Sequence, residues 1–143
     1  MFGAELDANK RMRAAIAAFA RAGRPILGEC GGLLYLCETL DDHAMCGVLA
    51  ARGHMAGRLT LGYREATAAT ATPWLDAGAA VRGHEFHYSA IEAAEGSAAW
   101  TLATRGAERR EGIVAGAVQA SYLHVHWAAH PDLALRFARA AAS

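Results

Sequence analysis

Apolar positions recur at helical spacing at the start of the chain. Between Glu5 and Ala22 the apolar side chains follow the 3.6-residue period of an α-helix, and basic side chains fill the positions between them. Gly23 comes next, and glycine commonly follows the last residue of a helix. The spacing therefore predicts one amphipathic helix over residues 5–22.

A short apolar run comes next. Ile26 and Leu27, after Arg24-Pro25, predict a buried strand, and the apolar segment LLYLCETL predicts a second helix. Cys30 and a pair of glycines separate the two. The pattern therefore places Cys30 at a turn from strand to helix.

In most of the remaining chain, apolar and polar residues alternate with a period of two residues. Four segments rich in Thr, Val and aromatic residues predict strands: RLTLGYREATAATAT, VRGHEFHYSAIE, AWTLATR and IVAGAVQASYLHVHW. We expect Arg64 and Glu65 at a solvated strand end. Pro131 at a first helical position and Asp132 in the first turn predict a closing helix. The order of elements indicates a mixed α/β domain.

Composition narrows the class of protein. The 143 residues suffice for one domain with a core, and no repeat or linker divides them. Lys and Arg (14) balance Asp and Glu (14), which favours neither a nucleic acid nor a membrane as partner. No apolar run approaches the roughly 20 residues of a membrane-spanning helix. Three cysteines without a signal segment indicate the cytoplasm.

The setting of Cys30 is typical of a nucleophile elbow, a sharp turn from strand to helix that exposes a reactive side chain. We expect the following helix N-terminus to ease ionisation of the thiol. The backbone N–H of Gly31 is expected to stabilise an oxyanion. The alternative is a small packing residue beside a tight turn. Cys37 and Cys46 lack this setting and are expected to be inert.

Two histidines in SYLHVHW are candidates for a general base. Alternation along a strand predicts that His124 and His126 share one face. Such a pair is compatible with a general base, with half of a zinc site, or with a hydrogen-bonded structural role. The spacing alone leaves these three alternatives open.

The segment GHEFHYS is polar on both faces. Alternation places His84, Phe86 and Tyr88 on one face and Glu85, His87 and Ser89 on the other. We expect such a strand to border a cleft or an interface, although a satisfied hydrogen-bond network has the same pattern.

Five blocks, in order and spacing, resemble the C-terminal glutamine amidotransferase domain of cobyrinic or hydrogenobyrinic acid a,c-diamide synthases. They are ELDANKRMRAAIAAFA, GRPILGECGGLLYL, RLTLGYREA, GHEFHYS and ASYLHVHWAAHP. The resemblance spans almost the whole chain. It implies the class I, triad-type glutaminase fold, an open mixed α/β sheet of the flavodoxin-like type. It also implies that residues 1–143 are a single domain truncated at its N-terminus, without the first strands.

The resemblance implies roles for particular residues. Cys30 matches the nucleophile of the family, and His124, in Tyr-Leu-His, matches its general base. Many class I glutaminases have a glutamate two residues after this histidine, where this chain has His126. The third member of the triad therefore stays open, and His126, Glu85 and His87 are accessory candidates. No metal ligand is implied.

The resemblance further implies hydrolysis of L-glutamine through a cysteine thioester. The ammonia would pass to an ATP- and Mg²⁺-dependent synthetase domain or subunit. That partner would bind the corrinoid and amidate its a and c carboxylates in cobalamin biosynthesis. The phosphate-binding pattern G-x-x-x-x-G-K-[ST] does not occur here, so we expect no cofactor in this chain.

Two other functions stay open. One is a catalytically weak or inactive glutaminase-fold module that serves as an interaction partner for a synthetase. The other is a metal-binding protein that uses His84, His87, His124 and His126.

Overall fold

The computed structural model describes residues 2–93, 96–104 and 107–143. The α-helices are α1 (Gly3–Ala8), α2 (Lys10–Arg21), α3 (Gly31–Leu36) and α4 (Pro131–Ala142), with a 3₁₀ turn at Trp127–Ala129. The strands are β1 (Ile26–Glu29), β2 (Thr39–Leu40), β3 (His43–Ala44), β4 (Ala51–Ala68), β5 (Ala80–Ala93), β6 (Trp100–Thr104), β7 (Ala107–Glu111), β8 (Ile113–Ala115), β9 (Val118–Ser121) and β10 (His124–Val125).

The single helix expected over 5–22 is interrupted at Asn9. The side chain of Asn9 accepts a hydrogen bond from the Met12 N–H at 3.2 Å and so caps α2. An N-cap of this kind satisfies an N–H that has no partner inside the helix. Arg13 bridges the two helices through a 3.0 Å ion pair with Asp7. The prediction of one continuous helix was therefore wrong.

The helix predicted for LLYLCETL is also shorter than expected. α3 ends at Leu36 because Cys37 adopts an extended backbone, with φ −63° and ψ 174°. The last residues of the segment, Thr39 and Leu40, form β2, which pairs with β3 and β4. The strand-to-helix turn at Cys30 is confirmed.

The strands form open, mixed sheets, which confirms the predicted α/β class. One sheet has the order β1-β9-β8, in which β1 and β9 run parallel with Glu29 opposite Ser121. The other has the order β10-β5-β4-β2-β3, with β6 and β7 extending from β4. The long antiparallel pair β4–β5 dominates it, and its register shifts between Met55 and Thr60.

Two apolar clusters form the core and meet at the segment that follows β9. Tyr122 belongs to the cluster around α3, together with Leu33 and Leu36. Leu123 belongs to the cluster that contains Trp100. Leu123 is fully buried, and burial of such a side chain stabilises a fold by about 1.5–3 kcal/mol. Both clusters therefore anchor the chain just before His124.

The closing helix α4 is present as predicted, with Pro131 in its first turn. Its Leu133 is buried in the cluster around Trp100. Within the described residues, no helix combines the length and the apolar character that crossing a membrane requires.

Candidate active site

Cys30 occupies a strained turn between β1 and α3. Its φ of 50° and ψ of −103° lie in a region that costs a residue with a side chain about 1–3 kcal/mol. The Cys30 N–H donates to the Ser121 carbonyl oxygen at 2.8 Å and so extends the β1–β9 pairing. A Cβ atom at Gly28 would lie 3.1 Å from the backbone of Gly32, so glycine allows β1 and α3 to approach closely.

The protonation of the Cys30 thiol differs from the sequence-based expectation. Burial raises the pKa of Cys30, the backbone N–H of Gly31 lowers it in part, and the charge of Glu29 raises it. The expectation of easier ionisation was wrong, because burial outweighs the Gly31 N–H at the start of α3. The thiol therefore needs a base before it can act as a nucleophile.

The space in front of Gly31 is open. A Cβ atom at Gly31 or Gly32 would meet no atom within 4 Å. The backbone N–H of Gly31 lowers the pKa of the Cys30 thiol, as an N–H close to the sulfur does. An N–H in that position is within reach of an oxygen on a carbon bonded to the sulfur. The geometry is therefore compatible with an oxyanion donor.

Strand β10 holds His124 against β5. His124 pairs with His84, and Val125 pairs with Gly83. A Cβ atom at residue 83 would overlap the carbonyl oxygen of His124, so only glycine permits this approach. The rings of His84 and His124 stack with their centroids 4.9 Å apart.

Contacts across the two sheets bring Cys30 and His124 to the same edge. The Cys30 S–H donates a weak hydrogen bond to the Phe86 carbonyl oxygen at 3.8 Å. Phe86 lies two residues from His84, the residue that pairs with His124. On the other side, Nδ1 of His124 lies 3.9 Å from Oε2 of Glu29, the residue before Cys30.

His126 lies outside this arrangement. β10 ends at Val125, and His126 is exposed, with its backbone N–H bonded to the Arg82 carbonyl oxygen at 3.2 Å. The prediction that His124 and His126 share one face of a strand was wrong, because β10 ends at Val125 and His126 caps the 3₁₀ segment that follows.

The alternation predicted for β5 is confirmed, and it turns Glu85 to the opposite face from His84. The fully buried Glu85 carboxylate accepts hydrogen bonds from Arg64 and Arg109, each at 2.6 Å. Burial raises the pKa of Glu85, but the hydrogen bonds and charges of the two arginines hold it below its ordinary value. The prediction that Arg64 lies at a solvated strand end was therefore wrong.

His87 shares the inner face of β5 with Glu85. Its ring stacks on Tyr122 at 3.7 Å, and its Nδ1–H donates to the Ser89 carbonyl oxygen at 2.8 Å. His87 also lines a cavity of about 530 Å³, together with Glu111. Burial raises the pKa of Glu111 to about 7. The structure thus keeps Glu85 and His87 apart from the exposed face that carries His84 and His124.

The four-histidine metal site receives no support from the geometry. His84 and His87 lie on opposite faces of β5, and His126 lies beyond the end of β10. Across residues 2–93, 96–104 and 107–143, the structure groups no three His, Cys, Asp or Glu side chains in a way that could hold a metal ion.

Sequence reasoning missed Glu29. Its Oε1 accepts the Val125 N–H at 3.1 Å, and its Oε2 faces Nδ1 of His124. The available signal was a carboxylate at the end of a buried strand, where charged residues are uncommon. The structure gives this carboxylate a partner from the far end of the chain.

Exposed apolar side chains lie on the same side of the β4–β5 pair as His84. We call Leu61, Tyr63, Phe86 and Tyr88 the aromatic face; they are 62%, 91%, 50% and 48% exposed. Leu61 pairs with Phe86 and Tyr63 with His84, so these side chains project from the same side of the β4–β5 pair. An exposed apolar group of this kind marks a candidate interaction site.

The amino-acid sequence of the chain is similar to part of several known a,c-diamide synthases. The chain is 50% identical over 139 residues to hydrogenobyrinate a,c-diamide synthase of Streptomyces coelicolor, across 96% of this chain and 28% of the relative. It is 43% identical to cobyrinate a,c-diamide synthase of Methanothermobacter thermautotrophicus, across 97% of this chain and 32% of the relative. It is also 43% identical to hydrogenobyrinate a,c-diamide synthase of Mycobacterium tuberculosis, across 99% of this chain and 31% of the relative. The chain thus spans about a third or less of these relatives.

A solved structure has the same fold at low sequence identity. The crystal structure of a protein described as a GMP synthase subunit from Thermoplasma acidophilum superposes with a TM-score of 0.56 and 16% identity. The match covers 96% of this chain and 67% of that one. Residues 1–132 also match the model of the CobB/CobQ-like glutamine amidotransferase domain. The chain therefore belongs to the family of CobB/CobQ-like glutamine amidotransferase domains.

Proposed function

We propose that this chain hydrolyses L-glutamine through a thioester on Cys30 and supplies ammonia to an ATP-dependent synthetase. The observation that carries the proposal is the strained turn at Cys30, beside the β5–β10 pair that holds His124. The similarity to a,c-diamide synthases favours the a and c carboxylates of cobyrinate or hydrogenobyrinate as the groups amidated.

The first half of the reaction forms the thioester. His124 accepts the proton of the Cys30 thiol, and the thiolate attacks the carboxamide carbon of glutamine. The N–H of Gly31 stabilises the resulting oxyanion. The carbon–nitrogen bond then breaks, and the protonated His124 transfers its proton to the nitrogen that leaves as ammonia.

The second half restores the enzyme. His124 accepts a proton from water, and the resulting hydroxide attacks the thioester carbonyl. The carbon–sulfur bond breaks, glutamate leaves, and the proton returns to the Cys30 sulfur. The raised pKa of Cys30 makes His124 necessary in the first half, because the uncharged thiol is a weak nucleophile.

The aromatic face supports the choice of partner. It places exposed apolar side chains on the same side of the β4–β5 pair as His84, and the relatives contain about two thirds of their length outside the matched segment. We propose that the synthetase part covers this face and receives ammonia there. ATP, Mg²⁺ and the corrinoid would bind to that part. The free thiols of Cys30, Cys37 and Cys46 suit a reducing cytoplasm.

The proposal is tested by measuring glutamate and ammonia released from glutamine, by the chain alone and with the synthetase half of a relative added. We expect hydrolysis that increases when the partner is added and disappears in Cys30→Ser. Co-purification with the partner but no hydrolysis under either condition would instead favour the inactive interaction module.

A further inference from the structure

Glu29 and His124 form a contact that has no role in the reaction steps proposed above. Oε2 of Glu29 lies 3.9 Å from Nδ1 of His124. In the described part of the chain, this is the only carboxylate within 4.0 Å of that imidazole. This distance is longer than a hydrogen bond, and catalytic hydrogen bonds are often long until substrate binds.

The same carboxylate is held in place by the backbone. Oε1 of Glu29 accepts the Val125 N–H at 3.1 Å, directly after His124 in the chain. Glu29 itself is held by β1, which pairs with β9 up to Ser121. One oxygen therefore fixes the carboxylate relative to β10, and the other is left to face the imidazole.

We infer that Glu29 is the positioning residue that orients His124. With its Nδ1–H directed at the Glu29 carboxylate, His124 keeps Nε2 as the free base for the Cys30 thiol. The negative charge also stabilises the imidazolium formed when that proton moves. This inference rests on the proposed function. In other triads a separate acidic residue orients the histidine. Here the glutamate just before the nucleophile would have that role.

The substitution Glu29→Gln separates the two contacts. The amide oxygen of glutamine still accepts the Val125 N–H, but the charge beside Nδ1 is lost. Glu29→Asp keeps the charge on a shorter side chain. Glu38→Gln is the matched control, because Glu38 is about half exposed and its ion pair is with Arg52 at 3.5 Å.

The variants are assayed for glutamine hydrolysis with the synthetase half present and for labelling of Cys30 by a diazoketone analogue of glutamine. We expect Glu29→Gln to lower kcat by about 10²-fold, within the range attributed to general-base catalysis, with KM and the melting temperature little changed. Glu29→Asp should recover part of the rate, and Glu38→Gln should keep all of it.

A double-mutant cycle gives the decisive readout. If Glu29 acts through His124, adding Glu29→Gln to His124→Ala causes no further loss of rate. Losses that multiply, or a Glu29→Gln variant with unchanged kcat, would overturn the inference while leaving the glutaminase intact. Full activity in His124→Ala alone would instead overturn the proposed function.

Discussion

The imidazole rings of His84 and His124 stack across the β5–β10 pair, with centroids 4.9 Å apart and planes at 14°. The absence of a side chain at Gly83 allows this approach, since a Cβ there would overlap the His124 carbonyl oxygen. The stack restrains His124 from one side, and Glu29 contacts its Nδ1. An imidazole held in this way has a fixed orientation, as the proposed general base requires.

Reactivity of the three cysteines is expected to differ. A diazoketone analogue of glutamine should label Cys30, which lies at the open turn, and spare Cys37 and Cys46, which are buried. Burial raises the pKa of Cys37 to about 11, so its thiolate is scarce at neutral pH. Mass spectrometry of labelled peptides measures the distribution. Equal labelling of all three would contradict the assignment of Cys30.

Loss of the two neighbouring histidines should have unequal effects. His124→Ala should lower thioester formation by at least about 10²-fold, because a general base contributes about 10²–10⁴-fold. His126→Ala should change it by less than about twofold, since His126 is exposed and lies after the end of β10. Rapid-quench measurement of the acyl-enzyme compares the two. The reverse order of effects would make His126 the base.

The stability of the chain should depend on pH through Glu111. Burial raises the folded-state pKa of Glu111 to about 7, above the value of about 4.3 in an unfolded chain. At pH values between these two pKa values, Glu111 is protonated in the folded state and ionised in the unfolded state. The free energy of unfolding therefore falls as pH rises through that range. From pH 5 to pH 8 we expect a loss of about 3 kcal/mol from this group.

Glu111→Gln tests this expectation by urea unfolding at several pH values. Glutamine can still accept the Tyr122 N–H that now bonds to Glu111 at 2.7 Å. The variant should be more stable than the parent at pH 8, and the two should converge near pH 4. Parallel pH profiles would show that Glu111 is not the titrating group.

The buried ion pair at Glu85 should contribute strongly to folding. Arg64→Met removes one of the two guanidinium partners of a fully buried carboxylate, which we expect to cost about 3 kcal/mol at pH 7. The cost should shrink in acid as Glu85 becomes protonated. Arg82→Met, which breaks an exposed 3.3 Å pair with Glu65, is the control and should cost less than about 1 kcal/mol. Similar melting temperatures for both variants would argue against the pair.

Self-association is expected at the free edge of β1. In the residues that the structure describes, β1 pairs with β9 on one side only, and an apolar groove of about 400 Å³ containing Phe19 and Leu27 borders it. An unpaired strand edge beside apolar surface favours pairing between chains. Light scattering should show an average molecular mass that rises with protein concentration. The Phe19→Lys substitution should reduce that rise.

Leu135→Lys provides the control for that experiment. Leu135 on α4 is 49% exposed and Phe19 is 47% exposed, so the two changes remove similar apolar surface at different places. A decrease in mass with Leu135→Lys, or a chain that stays monomeric at every concentration, would contradict pairing through the β1 edge.

The local pattern of residue types was sufficient to predict several structural features of this protein. The turn at Cys30, the two faces of β5 and the closing helix α4 follow from the spacing of apolar residues, glycine and proline. These features depend on a few neighbouring residues, so the sequence determines them by itself. The five blocks likewise identify the family, because each is a short run of residues whose order along the chain is enough to recognise it.

Tertiary structure decided the features that depend on distant segments. The Glu29 carboxylate meets Val125, 96 residues away, only because β1 pairs with β9. Arg64 became the partner of a buried carboxylate through the β4–β5 register, and burial reversed the expected ionisation of Cys30. Periodicity shows which side chains are apolar within one element. The partner and the degree of burial of a charged group depend on how separate elements pair and pack, and the sequence pattern does not contain that information.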